Sequence, residues 1–389
     1  MKILWLCSWY PHSSDPFEGD FIERQAKALA QLQEIDIIHI VQNTNLLKKE
    51  SFRTEVKNTI NLKQTIVYIS YPKLFFKKLS NLFFNYRYYT ALHRQLKNYI
   101  QKNGKPDLIH VHVPVKAGAG ALWANRKYNI PYLVTEHSTI YHNWGKEHFI
   151  SASPFFKLTT KKIIKKASAL ITVSNFLGEK MNDIVLKRNY IIIPNVVDTS
   201  LFYYQRKKEK NELFRFLHVS NLSPMKNPFK MIEAIALYLK TNKDAEFIII
   251  GNKDDRLPVE ATRLKIAKSN IKFLGEIPYK DVAAEMRQAD ALFLFSKSET
   301  FSCVTAEALC CGLPVIASNV GALSELINIE NGILVEPDNI ESLANSFEQL
   351  QLNYKHYTRE KIAEKASTKY KYETVAKQIL SIYKEVLNT

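Results

Sequence analysis

The chain has 389 residues, a formal net charge of +16 and 46% hydrophobic residues. That length exceeds what one core ordinarily organises, so two domains are expected, and the apolar content is that of a globular enzyme. No run of 18 or more apolar residues occurs, so no membrane-spanning helix is expected. The positive charge points to an anionic partner: nucleic acid, a phosphorylated small molecule or an anionic membrane face.

The chain opens with MKILWLC, a short strand-like run, followed by the turn formers and charges of SWYPHSSDPFEGD. It lacks the longer apolar stretch and small-residue cleavage site of a signal peptide, which predicts a cytoplasmic protein. Gly19 ends this loop just before the helix-period segment FIERQAKALAQL. A glycine there allows close backbone approach to a ligand, though a single one is far short of a GxGxxG fingerprint. IDIIHIV, DLIHVHV, PYLVTE, ALITVS and YIIIP continue as strands of a first unit. His110 and His112 alternate on one face of DLIHVHV; the spacing suits two metal ligands, but no third is evident, and packing within the sheet is the plainer reading. His137 falls just past PYLVTE, where a neutral imidazole serves as a hydrogen-bond donor, a proton carrier or a structural residue. Two basic, aromatic-rich stretches, Tyr71 to Tyr89 and Phe155 to Lys166, read either as helices with a solvated basic face or as a docking surface for anionic lipid.

The polar segment Pro194 to Leu213, with its QRKKEK cluster, marks the break between units. The expected domains are residues 1–195 and 214–370, joined by a linker at 196–213, with an amphipathic helix at 371–389. FRFLHVS, EFIIIG, IKFLG, ALFLF, PVIAS and GILVE supply a second set of strands, with helical segments such as PFKMIEAIALYLK between them. Strand–helix alternation of this kind predicts an α/β protein with two Rossmann-like doubly wound domains, each a parallel sheet covered on both faces. Ligands of such sheets bind beyond the carboxyl ends of the strands, so those loops are the ones to read.

The loop after FRFLHVS is NLSPMKNP, whose single cation, Lys226, suits a phosphate or stands as a solvated lysine. The loop after ALFLF leads into SETFSCVTAEALCCG. Glu299 lies just past the strand, and Ser302 is a reasonable N-cap for a helix that Gly312 ends. Free backbone N–H groups at Phe301, Ser302, Cys303, Val304 and Thr305 would then suit a diphosphate. Glu307 sits a turn into that helix among apolar neighbours. Either it is buried and needs donors such as ribose hydroxyls, or it faces water, and periodicity does not choose between the two. Cys7, Cys303, Cys310 and Cys311 show no CxxC or zinc-ligand spacing and read as small apolar residues. No DxD-type carboxylate pair follows a strand, so no metal or other cofactor is expected.

Together these residues resemble the retaining GT-B glycosyltransferases of glycosyltransferase family 4. The strongest match is SKSETFSCVTAEALCCGLPVIASNVGALSELI, similar to that family's E-x7-E signature, with Glu299 and Glu307 on its two glutamates and Gly312, Pro314, Val315, Gly321 and Glu325 following. LGEIPYKDVAAEM, IIPNVVDTSLF, SNLSPMKNP, ENGILVEPDN and the N-terminal SWYP…EGDFIERQAKAL add to it. The resemblance implies two domains facing across a cleft, a nucleotide-sugar donor held mainly by the C-terminal one, and a final helix that crosses back to the first domain. It implies that Glu299 binds hydroxyls of the donor sugar, Glu307 the ribose, and Lys226 the diphosphate. The backbone of Gly275, Glu276 and Ile277 would flank the base, and His137 would contact the sugar. It implies transfer with retention to a glycan or lipid-linked acceptor, in cell-surface polysaccharide or glycolipid synthesis. The two basic stretches would then allow a cytoplasmic enzyme to dock peripherally on the inner face of the plasma membrane, where such an acceptor is extended. The family often has arginine where this chain has Asn221, and glycine where it has Ser302. With one phosphate-binding cation missing, a catalytically weak or silent nucleotide-sugar-binding protein is the alternative. A nucleic-acid-binding protein would need a zinc or RNA-binding motif, and neither is found.

Overall fold

A computed structural model describes residues 1–42, 52–70, 77–142, 148–206 and 213–388, with the backbone alone at 77–79 and 81. The start of the first basic stretch, 71–76, and most of the QRKKEK cluster lie outside the described residues. The chain divides into two compact units, Met1–Val196 together with Tyr372–Thr389, and Val197–Lys371.

The first unit is built on eight strands: β1 (Ile3–Cys7), β2 (Ile35–Gln42), β3 (Phe52–Thr59), β4 (Leu62–Ile69), β5 (Leu108–His112), β6 (Tyr132–Glu136), β7 (Ala169–Thr172) and β8 (Ile191–Ile192). Their order across the sheet is β3-β4-β2-β1-β5-β6-β7-β8. All neighbours are parallel except β3 and β4, an antiparallel pair turned through Asn61 at φ 58°. This pair is the departure from the sequence expectation of purely parallel sheets. Strand β3, FRTEVKNT, has hardly any buried side chain, so it lacks the apolar run that marks a buried strand. Trp5, Ile22, Ile37, Leu133 and Ile171 form the core on one face of the sheet. The C-terminal helix Tyr372–Asn388 belongs to this unit and packs on the helix Asp20–Ala30. It does so because Val375, Ala376, Ile379, Ile382 and Tyr383 recur at helical spacing, and all are buried. The larger of these contribute about 1.5–3 kcal/mol each by leaving water.

The second unit holds β9 (Phe214–Val219), β10 (Ala245–Ile250), β11 (Ile271–Gly275), β12 (Ala291–Leu294), β13 (Val315–Ser318) and β14 (Gly332–Val335). They form one parallel sheet in the order β11-β10-β9-β12-β13-β14. All six coincide with the apolar runs read from sequence. Phe216, Phe247, Phe293 and Phe347 pack ring against ring at 4.9–5.8 Å between centroids, which fixes the strands and the helix Ile340–Leu352 about one aromatic core. The strand order reverses between β9 and β12, so the carboxyl ends of those two strands form the topological switch point where ligands of this sheet type bind.

Candidate functional site

At that switch point two loops meet. The Lys297 N–H donates to the Met225 carbonyl at 2.8 Å, tying the loop after β12 to the one after β9. The Lys226 ammonium then lies 2.5 Å from Glu299 Oε1, and the Ser296 hydroxyl donates to the same oxygen at 2.7 Å. Only 18% of the lysine side chain and 8% of the glutamate side chain are exposed. Holding two charges this far from water costs several kcal/mol per ion, so such a pair is a poor device for stability alone. It is a good one for meeting an anion and a hydroxyl-bearing ligand together.

The support beneath Lys226 is polar and complete. The His218 Nδ1–H donates to the Phe293 carbonyl at 3.0 Å, and the Ser220 hydroxyl donates to Nε2 at 2.8 Å. The Ser220 oxygen in turn accepts the Leu222 N–H at 3.0 Å, which shapes the start of the lysine loop. Burial, with a smaller contribution from the Lys226 charge, pushes the His218 pKa down to about 4, so the ring is neutral. Beneath Glu299, Gly321 adopts φ 56°, and a Cβ there would meet the Glu299 carbonyl oxygen at 2.0 Å. Gly321→Ala is therefore expected to displace the Glu299 backbone. A loss of about 2 kcal/mol or more in stability should result, seen in a denaturant midpoint, together with a fall in activity.

The helix Cys303–Cys310 follows. Glu307 is 4% exposed, which decides between its two sequence readings in favour of burial. The Tyr279 hydroxyl donates to Glu307 Oε1, and the Tyr279 ring packs edge-on against Phe202. Part of the carboxylate's need for donors is thus met by the protein. Ser302 stands at the N-cap position but does not cap. Its backbone is left-handed at φ 70°, and its hydroxyl pairs with that of Thr305 at 2.9 Å and not with a helix N–H. A positive φ is a position where glycine is at ease, in line with the glycine common in the family resemblance. Gly312 does close the helix end, at φ 73°.

The other expected residues distribute as follows. Phe301 is buried edge-on against Tyr370, and Cys303 and Val304 are half-buried in the first helical turn. Gly275 ends β11 at φ 72° with open space where a Cβ would be, Glu276 is exposed and Ile277 half-buried. Asn221 is exposed, its side-chain oxygen accepting the Ser223 N–H at 3.2 Å, so it shapes the loop.

The remaining candidates lie in the first unit. Gly19 takes φ 65°, and its Cβ would meet the Trp9 backbone at 2.9 Å, so the chain's own turn already requires glycine there. His137 is buried in the turn after β6. That turn is shaped by Glu136, whose Oε1 accepts the His137 and Ser138 N–H groups at 2.8 and 2.9 Å and whose Oε2 accepts the Tyr141 hydroxyl at 2.7 Å. His110 and His112 are packed within the sheet, fully buried. Among the described residues one further group has metal-ligand spacing: His12, Glu18 and His39, with ligand atoms within 4.8 Å of one another. His12 Nδ1 accepts the Ser14 N–H at 3.2 Å, which leaves its proton on Nε2, aimed at Glu18 Oε2 at 2.8 Å. In this structure His12 and Glu18 thus form a hydrogen-bonded pair. Cys7, Cys310 and Cys311 are buried and unpaired, and burial raises the Cys310 thiol to about 12.

Comparison with known proteins settles the family. Residues 53–201 match Glycosyltransferase Family 4 and residues 202–369 match Glycosyl transferases group 1. An uncharacterized glycosyltransferase of Methanocaldococcus jannaschii is 30% identical over 299 residues, 75% of this chain and 78% of that protein. The chain belongs to the group 1, family 4 glycosyltransferases. This glycosyltransferase is also 27% identical, over 89% of its length and 88% of the other's, to a Bacillus subtilis protein named for teichuronic acid biosynthesis, TuaC. Among solved structures, sucrose-phosphate synthase from Thermosynechococcus elongatus superposes with a TM-score of 0.79 at 20% identity, covering both chains fully. HepE of Anabaena in complex with UDP-glucose superposes with a TM-score of 0.70 at 18% identity, over 99% of this chain and all of that one. Both likenesses establish the GT-B fold.

Two residues of this glycosyltransferase's site carry no mark in the sequence. Ser296 and Tyr279 hold the two glutamates, and nothing in their own types or spacing marks them. Tyr279 lies in LGEIPYKDVAAEM, so its nearness to the segment expected to flank the base was the available signal. No described helix is long and apolar enough to cross a membrane.

Proposed function

We propose that this glycosyltransferase moves a hexose, with retention, from a nucleotide-sugar donor to a glycan or lipid-linked acceptor. The Lys226–Glu299 pair at the switch point of the second sheet carries the reading. A cation positioned for a diphosphate, beside a carboxylate positioned for sugar hydroxyls, is what such a donor needs. Lys226 and the N–H groups at the start of the helix Cys303–Cys310 stabilise the leaving diphosphate. Glu299 accepts from hydroxyls of the sugar, Glu307 from the ribose, and His137 donates to the sugar near its anomeric carbon. As the bond from that carbon to the phosphate oxygen breaks, the diphosphate takes the electron pair. The acceptor oxygen attacks on the same face through an oxocarbenium-like state, and its proton passes to the departing phosphate oxygen. No step calls on a metal ion, in keeping with the lack of a DxD-type pair in the sequence. That HepE was solved with UDP-glucose supports the donor class, and the name of TuaC supports polysaccharide synthesis. Proton NMR of the first sugar released from α-linked donors by the purified protein tests the reaction. Release of the α-anomer is expected; a β-anomer as first product would overturn retention, and no turnover of any donor would favour a silent binding protein.

The acceptor side is proposed to lie on an anionic membrane surface. The helix Pro154–Lys166 exposes Phe155 and Leu158 beside Lys161, Lys162, Lys165 and Lys166, and the helix Lys77–Asn103 exposes Leu82, Phe83 and Tyr86. Apolar side chains for the lipid boundary and lysines for headgroups occur on the same elements. The protein is expected to co-sediment with phosphatidylglycerol vesicles at low salt and to be released as salt rises. Absence of binding at low salt would rule the surface out.

A further inference from the structure

The loop that carries Lys226 is tied to the edge of the second sheet. Asn227 closes the short turn Pro224–Lys226 and precedes the helix Pro228–Tyr238. Its backbone is left-handed, at φ 54°, and its side chain does not cap that helix, as asparagine at this position commonly does. The residue is buried, and its Nδ2–H donates instead to Asp338 Oδ1 at 2.9 Å. Asp338 lies just past the end of β14, and β12 and β13 stand between β14 and β9 in the sheet. It too is left-handed, at φ 63°. Asparagine and aspartate are the side chains that best tolerate this conformation, which persists where the surroundings hold it. Here the two residues hold each other.

The same carboxylate gathers the other loop of the site. The Lys230 ammonium, from the first turn of the helix, lies 2.7 Å from Asp338 Oδ2, and that of Lys297 lies 4.0 Å from Oδ1. Lys297 is the residue whose N–H reaches the Met225 carbonyl, and it adjoins Ser296, which holds Glu299. One side chain from the loop after β14 thus contacts both loops between which Lys226 and Glu299 meet. The hydrogen bond from Lys230 holds the Asp338 carboxyl below the usual range, so it is ionised at neutral pH. Both lysine side chains are more than a third exposed, and ion pairs so exposed contribute little to stability. The bond to the buried Asn227 is the one that fixes geometry.

We infer that Asp338 is a positioning residue: through Asn227 it fixes the turn of Lys226 and so sets that lysine against Glu299. The positioning rests on the geometry of these loops. Its consequence for turnover rests on the proposed contact between Lys226 and the diphosphate.

The test uses Asp338→Gly and Asn227→Gly in the full-length protein. Glycine keeps either left-handed turn without strain and removes only the side chain. Denaturant midpoints of Asp338→Gly, Lys226→Ala and the double variant form a double-mutant cycle. The shift caused by Asp338→Gly is expected to shrink to about half or less in the Lys226→Ala background, because the pair it supports is already gone. Additive shifts would overturn the inference. Turnover of a nucleotide sugar should fall about tenfold in each glycine variant, with no further fall when either is added to Lys226→Ala. Asp338→Asn, whose amide oxygen can still accept from Asn227, should keep most of the turnover although it loses the charge facing the lysines. A loss in Asp338→Asn as large as that in Asp338→Gly would overturn the route through Asn227. Wild-type turnover in Lys226→Ala would instead overturn the proposed diphosphate contact, and the stability cycle would still decide the positioning.

Discussion

Lys226→Ala is expected to lower the turnover of a nucleotide sugar by about 10²–10³-fold, the range seen when one preorganised electrostatic contact to a developing charge is lost. The leaving diphosphate gains negative charge as its bond to the sugar breaks, and Lys226 is the cation its loop offers. Asn221, where related sequences often carry arginine, is occupied with its own turn and adds no charge. The variant should also be less stable, by about 1–3 kcal/mol, because Glu299 keeps only the Ser296 hydroxyl among the two partners shown here. That estimate is set below the figure for a fully buried pair because the lysine is partly exposed. Combining Lys226→Met with Glu299→Gln separates the two effects. Removing both charges should restore the melting temperature and leave transfer low. Near-wild-type turnover in Lys226→Ala would remove the lysine from the mechanism.

Glu307→Ala is expected to act on binding more than on chemistry. A carboxylate that accepts from ribose hydroxyls makes the same contact in the ground state and the transition state, so its loss raises KM while kcat changes little. Hydrogen bonds to a charged group are worth about 1.5–3 kcal/mol, which predicts a 10–100-fold rise in donor KM. Tyr279→Phe should show a smaller rise, because the tyrosine only orients the carboxylate through the bond it donates. Steady-state titration of the donor reads both. An unchanged donor KM with a collapsed kcat would place Glu307 at the reaction centre instead of at the ribose.

The two units differ in how much of them the sequence showed, and the reason is burial. The strands of the second sheet are short apolar runs closed by turns, and β10, β12 and β13 are buried along their whole length. The hairpin of β3 and β4 broke that pattern, since β3 sits at the sheet edge with its side chains in water. Glu307 could be picked out because a charge is conspicuous among apolar neighbours, and Glu299 and Lys226 because they fall in loops just past strands. Their partners could not. Ser296 and Tyr279 become informative only when folding brings residues 226 and 299, or 279 and 307, together. Ser302 was read as a cap from its residue type, but its backbone is left-handed and its hydroxyl pairs with Thr305 instead of a helix N–H. The alternation of His110 and His112 was visible, yet the hydrogen bond between His112 Nδ1 and His137 Nε2, at 3.2 Å, depends on the pairing of β5 with β6, which sets His112 opposite Thr135 near the end of its neighbour.

Whether this protein holds a nucleotide sugar in its second unit is tested most directly by thermal unfolding in the presence of nucleotide sugars, with wild type, Lys226→Ala and Glu307→Ala compared side by side. A ligand at 100 times its Kd stabilises the folded state by about 2.7 kcal/mol. At least one UDP-, GDP- or ADP-sugar is therefore expected to raise the wild-type melting temperature by several degrees, with the shift reduced in both variants. If no nucleotide sugar moves the wild-type transition, or if one moves all three proteins equally, the donor site is not the one formed by Lys226, Glu299 and Glu307.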